Sequence, residues 1–340
     1  MKEYVLVFVL CLSVVSYGCA TQQIQPQPVY HEQFFNYTRH FCSEEDCMQI
    51  ITAQLTAATQ SVNCALYGIS NDLLDNLARL NDVTNTGNIR PVKVSVVVDS
   101  KATAAEKHVK SGMVYKYRGM GIMHNKYCVI DNRTVITGSF NPTTAAKRDY
   151  NNIITINSTA LSAFYLNDFH GMQQNLRQQG STKGKRAQNK ENIVVLNDTV
   201  VEVYFCPADN CAAALIRELR QANRSIAFAA YSFTNPEIAN ELIIKASQGA
   251  NISGIIEKST TGSQYSKHTA LAANGISLAI ESSKKFMHHK FFVIDNETVI
   301  TGSFNPTKNA DKRNNENIIV IRNKALAGRY VEEFGKIRDS

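Results

Sequence analysis

Beyond residue 20 the 340-residue chain has no apolar run long enough to cross a bilayer, which excludes a bundle of membrane-spanning helices as its main body. It also lacks the bias of a disordered chain: 44% apolar and 19% charged residues describe a globular protein, and the length suits two domains. A large charge excess is missing too. The formal charge of +7 suits an anionic substrate, nucleic acid or an anionic lipid surface, but proteins that bind neither often carry as much. Two C-x4-C pairs, Cys42/Cys47 and Cys206/Cys211, have no histidine partners nearby and fall 164 residues apart. That disfavours a zinc site, so no metal or cofactor is expected, and two local disulfides are the better reading if the chain is exported. Reduced cysteines near helix starts are the alternative. Cys64 and Cys128 lie in apolar strand-like runs and are expected as buried free thiols.

The one notable apolar run comes first. Val5 to Val15 is followed by the small residues Ser16, Gly18 and Ala20, so residues 1–20 read as a secretory signal peptide. A lipoprotein signal acylated at Cys19, giving a membrane anchor, is the alternative. Either places the mature protein outside the cytoplasm. Residues 21–32, rich in Gln and Pro, read as a flexible tether.

The rest is one unit written twice. His124-Asn125-Lys126, Asp131 and Gly138-Ser139-Phe140-Asn141 recur as His288-His289-Lys290, Asp295 and Gly302-Ser303-Phe304-Asn305, all displaced by 164 residues. The likeness reaches back through the cysteine pairs, an amphipathic helix (Ile50, Ile51, Leu55; Leu215, Ile216, Leu219) and a strand (62–67; 226–231). Second helices, further strands (92–99; 252–257), polar helical segments (102–110; 265–273) and a last strand (153–156; 318–321) complete each unit. Such alternation predicts an α/β fold with helices on a mixed sheet. The boundaries follow: unit 1 at 33–172, a Gln/Lys/Arg/Gly-rich linker at 173–192 and unit 2 at 193–340.

The motif gathers chemistry by geometry. Residues two apart on a strand share a face, so His124 and Lys126 leave together while Asn125, like His289, points away. A hairpin turning at 131–134 sets Lys126 beside Gly138, bringing the His-Lys end against Gly-Ser-x-Asn. Asn141-Pro142 reads as a helix start with Asn as N-cap. An imidazole, an ammonium, a hydroxyl and a carboxamide at such a point form a phosphate-binding set. Two facing units supply two imidazoles, enough for in-line displacement at phosphorus with one His as nucleophile and the other as acid and base. The two Lys and two Asn would stabilise the phosphoryl oxygens. Ser139 and Ser303 are expected as phosphate or network donors, and Gly138 and Gly302 as sites of close backbone approach. Asp131 and Asp295, at the far end of the strand, are expected to be structural.

The doubled H-x-K-x4-D-x6-G-S-x-N pattern resembles the phospholipase D superfamily, and the compact units resemble its small nuclease and cardiolipin-hydrolase-like branch. The resemblance spans roughly residue 33 onward. It implies two tandem units packed with pseudo-two-fold symmetry as an internal pseudo-dimer in a monomer, and phosphodiester hydrolysis through a phosphohistidine without metal. Nucleic acid is the favoured substrate, phospholipid the second, and a non-catalytic nucleic-acid-binding protein the third reading. The family often has a carboxylate after the motif that bonds the catalytic imidazole. Glu316 stands there in copy two, but Asn151 in copy one. On that basis Glu316 would back His288 as general acid, leaving His124 as nucleophile, with Asp149 as a possible substitute for the missing carboxylate.

Some features stay open. Lys147, Arg148, Lys312 and Arg313, and likewise Lys116, Arg118, Lys284 and Lys285, either bind flanking phosphates or are solvated helix and strand ends. His108 and His268 are expected on the surface. Seven Asn-x-Ser/Thr sequons occur, at Asn36, Asn132, Asn157, Asn197, Asn223, Asn251 and Asn296; whether they are used depends on the cell.

Overall fold

Apolar residues alternate along the strands, and the alternation decides which layer each enters. In unit 1, Ala65, Val97, Tyr127, Val129, Val135, Ile154 and Ile156 face one core, and Cys64, Val96, Val98, Cys128, Ile130, Ile136 and Ile153 face another. The computed structural model describes residues 29–33, 36–82, 91–102, 108, 112–119, 121–177, 192–283 and 285–340. The expected signal peptide, Cys19, most of the tether and the linker stretch 178–191 lie outside those residues.

Strand β1 (Tyr30–Glu32) comes first, then unit 1: β2 (Asn36–Phe41), β3 (Ser61–Leu66), β4 (Lys93–Asp99), β5 (Val114–Tyr117), β6 (Lys126–Ile130), β7 (Thr134–Gly138) and β8 (Asn152–Asn157). They form a seven-stranded sheet in the order β2-β8-β7-β6-β3-β4-β5. Unit 2 supplies β9 (Asn192–Leu196), β10 (Thr199–Cys206), β11 (Ser225–Ala230), β12 (Asn251–Glu257), β13 (Ser277–Glu281), β14 (Lys290–Ile294), β15 (Thr298–Gly302) and β16 (Glu316–Arg322). Its sheet repeats the order as β10-β16-β15-β14-β11-β12-β13. Both sheets are mixed: β3, β4 and β5 run parallel, as do β11, β12 and β13, and the motif strands pair antiparallel. The tandem α/β arrangement is therefore present in full.

The outer face of each sheet carries its own core, and the inner faces share one. Tyr127, Tyr165 and Phe169 of unit 1 pack in one cluster with Phe205, Phe291, Tyr330 and Phe334 of unit 2. Two helices fill this layer, Thr159–Arg177 and Lys324–Arg338. Both lie beyond the last strand expected in each unit and were not expected from the sequence. Their signal is a helical stripe, Leu161, Tyr165, Phe169, Met172 and Leu326, Tyr330, Phe334, Ile337, all buried. The first helix continues to Arg177, so residues 173–177 are helical, not linker, because backbone hydrogen bonding propagates without apolar side chains.

Three other expectations need correction. Tyr30–Glu32 is not part of a tether. It pairs parallel with β9 of unit 2, and the Glu32 carboxylate accepts from Thr159 Oγ1 and the Ala160 amide, both at 2.8 Å, at the start of a unit 1 helix. His108 is buried, with Nε2 2.9 Å from Asp75, whereas His268 is half-buried beside Ser266. Cys64 and Cys128 are not free thiols. They are directly opposite on antiparallel β3 and β6, their Cα atoms 4.1 Å apart, and form a disulfide. Cross-strand register creates this pair, whereas 64 residues of sequence hide it. At the equivalent place in unit 2, Phe228 and Phe292 stack with centroids 5.5 Å apart. The two expected bridges, Cys42–Cys47 and Cys206–Cys211, are present as well.

Closing a 64-residue loop removes about 4 kcal/mol of unfolded-chain entropy. Cys64→Val is therefore expected to lower stability by about 2–4 kcal/mol in urea unfolding, and the Cys64→Val/Cys128→Val double variant by little more. Independent, additive losses would show that no bridge forms.

Candidate active site

Each motif strand is preceded by a short extended stretch that crosses to the other unit. Met123 pairs with Asn315 and Met287 with Tyr150, in isolated parallel bridges. The His124 amide donates to Asn315 O and the His288 amide to Tyr150 O, each at 2.9 Å. The bridges fix both histidines against the segment that enters the last strand of the opposite unit. In the same place the Met123 amide donates to Asp99 and the Met287 amide to Glu257, both at 2.9 Å.

The imidazole partners therefore cross over. Glu316 does not hold His288. His124 Nδ1 lies 2.8 Å from Glu316 Oε2, and His288 Nδ1 lies 2.8 Å from Asn151 Oδ1. The expected same-copy pairing fails because a residue at the head of the last strand faces across the interface. Serines complete both pairs: Ser303 Oγ donates to Glu316 at 2.6 Å and Ser139 Oγ to Asn151 at 2.9 Å. Each serine in turn accepts the amide of the following residue, Asn317 at 3.0 Å and Asn152 at 3.1 Å. Asn314 Nδ2 also donates to Glu316, at 3.2 Å. The glycines permit this. Gly138 and Gly302 have φ of 153° and 140°, and a Cβ on either would sit 2.2 or 2.3 Å from the carbonyl oxygen of Asn152 or Asn317.

Lys126 and Lys290 are buried, and each Nζ donates to the carbonyl of its own histidine at 2.7 Å. Tyr67 and Tyr231, which motif reading did not single out, tie the set together. Each ring meets its histidine edge-on with centroids 5.0 Å apart and lies 5.3 Å from the lysine ammonium. Their signal in the sequence is position alone, directly after the strand beside the motif and 164 residues apart. Asn141 and Asn305 are not helix caps. A 3-10 turn follows Thr144 in unit 1, and Thr307 caps the helix at Lys308–Lys312 in unit 2. Both asparagines instead keep a buried Oδ1 without a hydrogen-bond partner among the described residues. Asp131 and Asp295 sit at the other end of the hairpins, where they accept the amides of Thr59, Gln60 and Ser61, or of Asn223, Arg224 and Ser225. His289 faces away and meets Asn152 at 3.1 Å and Glu333 at 3.3 Å.

The electrostatics are those of desolvated basic groups crowded around one carboxylate. Burial pushes Lys126 down to about 7, although the Glu316 carboxylate opposes the fall. Lys290 is pushed well below its ordinary value by burial and then by Lys126. His288 falls well below its ordinary value through burial, Lys290 and Lys126. His124 is lowered by burial, with Glu316 acting against that shift. Burial raises Glu316, but the His124 and Lys126 charges hold it below the usual carboxylate range. A bound phosphoryl group would relieve this crowding of desolvated cations. Among the described residues no cluster of three His, Cys, Asp or Glu side chains could hold a metal.

The family described as "Cardiolipin synthase, PLD-like domain" matches residues 51–173 and again 215–338. The phospholipase D of Rickettsia prowazekii (strain Madrid E) is 32% identical over 146 residues, which is 43% of this chain and 71% of that one. The mitochondrial cardiolipin hydrolase of Xenopus tropicalis is 29% identical over 135 residues, 39% of this chain and 64% of that one. Each of these relatives thus matches about one unit's length. The crystal structure of a phosphatidylserine synthase from Haemophilus influenzae Rd KW20 superposes over 89% of this chain and 86% of its own with a TM-score of 0.68 at 13% identity, a likeness of fold across both units. The chain belongs to the phospholipase D superfamily and is a phosphodiesterase of that superfamily.

Lys126 is an ammonium below about pH 7 and neutral above it, so capture of an anion weakens as pH rises through that value. For a chromogenic phosphodiester, which stays monoanionic, kcat/KM is expected to show an alkaline limb near pH 7. Lys126→Arg should move that limb to higher pH, and a limb unmoved by the substitution would assign it to another group.

Proposed function

We propose that this phosphodiesterase cleaves nucleic-acid strands outside the cytoplasm, through a phosphohistidine and without a metal ion. The observation that carries the chemistry is the crossed pairing of two imidazoles with unlike partners, Glu316 and Asn151, beside two buried lysines. A carboxylate supports an imidazolium, but an amide oxygen only fixes a tautomer. Of the two imidazoles, His124 therefore holds the extra proton more readily. His288, donating Nδ1–H to Asn151, keeps a lone pair on Nε2. This reverses the roles expected when Glu316 was placed on His288.

In the first step His288 Nε2 attacks phosphorus, the bond to the leaving oxygen breaks, and His124 gives that oxygen its Nε2 proton. In the second, His124 takes a proton from water, the water oxygen bonds to phosphorus, and the P–N bond breaks to release a phosphomonoester. Lys126, Lys290, Asn141 and Asn305 stabilise the charge on the phosphoryl oxygens in both steps.

The strand substrate rests on exposed cations that lie next in sequence to the crossing segments. Lys147-Arg148 leads into Tyr150, which meets His288, and Lys312-Arg313 leads into Asn315, which meets His124. Exposed cations next to both crossing segments suit a polymer with phosphates beyond the scissile one. The second reading is a phospholipid head-group ester, favoured by the names of the relatives, phospholipase D and cardiolipin hydrolase. Export is supported by the three disulfides, which persist in oxidising compartments.

Residues 29–340 are to be assayed in EDTA on single- and double-stranded nucleic acid and on phosphatidyl lipids, beside His124→Asn and His288→Asn. Strand cleavage that survives chelator and falls at least 1,000-fold in both variants is expected. Lipid turnover alone would overturn the substrate, and loss in EDTA would overturn the metal-free route. With an activated aryl leaving group, His124→Asn should accumulate a phosphoryl adduct on His288. An adduct mapped to His124 in the parent enzyme would reverse the roles.

A further inference from the structure

The catalytic groups occupy one end of both sheets. Lys126 pairs with Leu66 and Lys290 with Ala230 at strand termini, and Gly138 and Gly302 end the hairpin partners. All seven sequons lie at the other end. Asn132 and Asn296 are the exposed tips of the motif hairpins, in left-handed conformation with φ of 53° and 54°. Asn197 is the tip of the β9–β10 turn, with φ of 51°. Asn36 begins β2 and pairs with Asn157, which ends β8 beside Thr134. Asn251 begins β12 opposite Ser225, and Asn223 donates its amide to Asp295 at that same hairpin tip. A five-residue motif strand sets the two ends roughly 17 Å apart.

The catalytic end holds two further Asn-x-Thr triplets, Asn141-Pro142-Thr143 and Asn305-Pro306-Thr307. Proline at the middle position disqualifies a triplet as an acceptor. Every usable sequon is thus on the pole away from the site, and the two triplets at the site are unusable. The three disulfides point to the oxidising compartment where such transfer takes place.

We propose that the pole opposite the active site carries N-linked glycans, with Asn132 and Asn296 as its symmetric principal acceptors. The donor class is a polyprenyl-diphosphate-linked oligosaccharide. The asparagine Nδ2 bonds to the anomeric carbon, the bond from that carbon to the diphosphate oxygen breaks, the lipid diphosphate leaves, and the amide proton goes to a base. Because the acceptor tips are exposed, the folded protein accommodates the sugar there. Asn157 is different: it is half-buried, and Arg133 Nε donates to its Oδ1 at 2.9 Å. It remains unmodified.

The protein isolated from its own source is to be treated with peptide N-glycosidase in heavy-oxygen water and mapped by mass spectrometry. The expected result is a fall in mass, with labelled aspartate at positions 132 and 296 and unlabelled asparagine at 157. Asn132→Gln and Asn296→Gln, expressed in the same cells, should each remove one glycan's mass while phosphodiester hydrolysis is unchanged. A native mass equal to that of the bare polypeptide, or unlabelled residues at both hairpin tips, would overturn the proposal.

Discussion

The hydrogen bond from His124 to Glu316 joins two residues 192 apart, and its twin from His288 to Asn151 crosses the same interface the other way. Neither unit holds its own imidazole. A histidine whose Nδ1 is untethered can take either tautomer and several ring orientations, so orientation is a property of the packed pair. The rest of the interface keeps that pairing in register. Asn152 donates to Thr301 and Tyr330 of unit 2, and Asn317 donates to Thr137 and Tyr165 of unit 1, at 2.9–3.2 Å. The shared aromatic core and the clasp of Tyr30–Glu32 onto the second sheet add apolar burial and backbone bonds to the same contact.

The site works against the ordinary preferences of its charges. Two ammonium groups and a carboxylate are taken out of water, and the Lys126 charge further depresses Lys290. Such an arrangement persists only where surrounding packing fixes it, which is the role of two sheets and two helices closed around one core. Symmetry breaks at the imidazole partners: one imidazole has a carboxylate and the other an amide. Nearly identical cradles, each with Ser, Lys and Tyr in the same geometry, thereby acquire different proton affinities.

The motif strands, the hairpin register and the structural place of the two aspartates were legible because they follow from period and turn chemistry. Ile130 does pair with Thr134, as the turn implies. The closing helices were also legible in principle from their apolar stripe, but the Gln-rich stretch after the first obscured it. The Cys64–Cys128 bridge, the burial of His108 and the edge strand at Tyr30–Glu32 were not legible. Each depends on which strands or helices become neighbours, and long-range neighbours leave no local trace. The expected N-cap role of Asn141 and Asn305 failed for another reason: Thr144 and Thr307 begin the helical turns, so the asparagines stay at the site.

Two units, the layered α/β structure of each, and the residue types that meet at each hairpin can all be read along the chain. Those are consequences of repetition and periodicity within short stretches of chain. Whose carboxylate serves which histidine is settled by packing instead. The residue at the head of the last strand faces out of its own unit, and the partner it finds is set by how two sheets pack across a shared core, not by its distance along the chain.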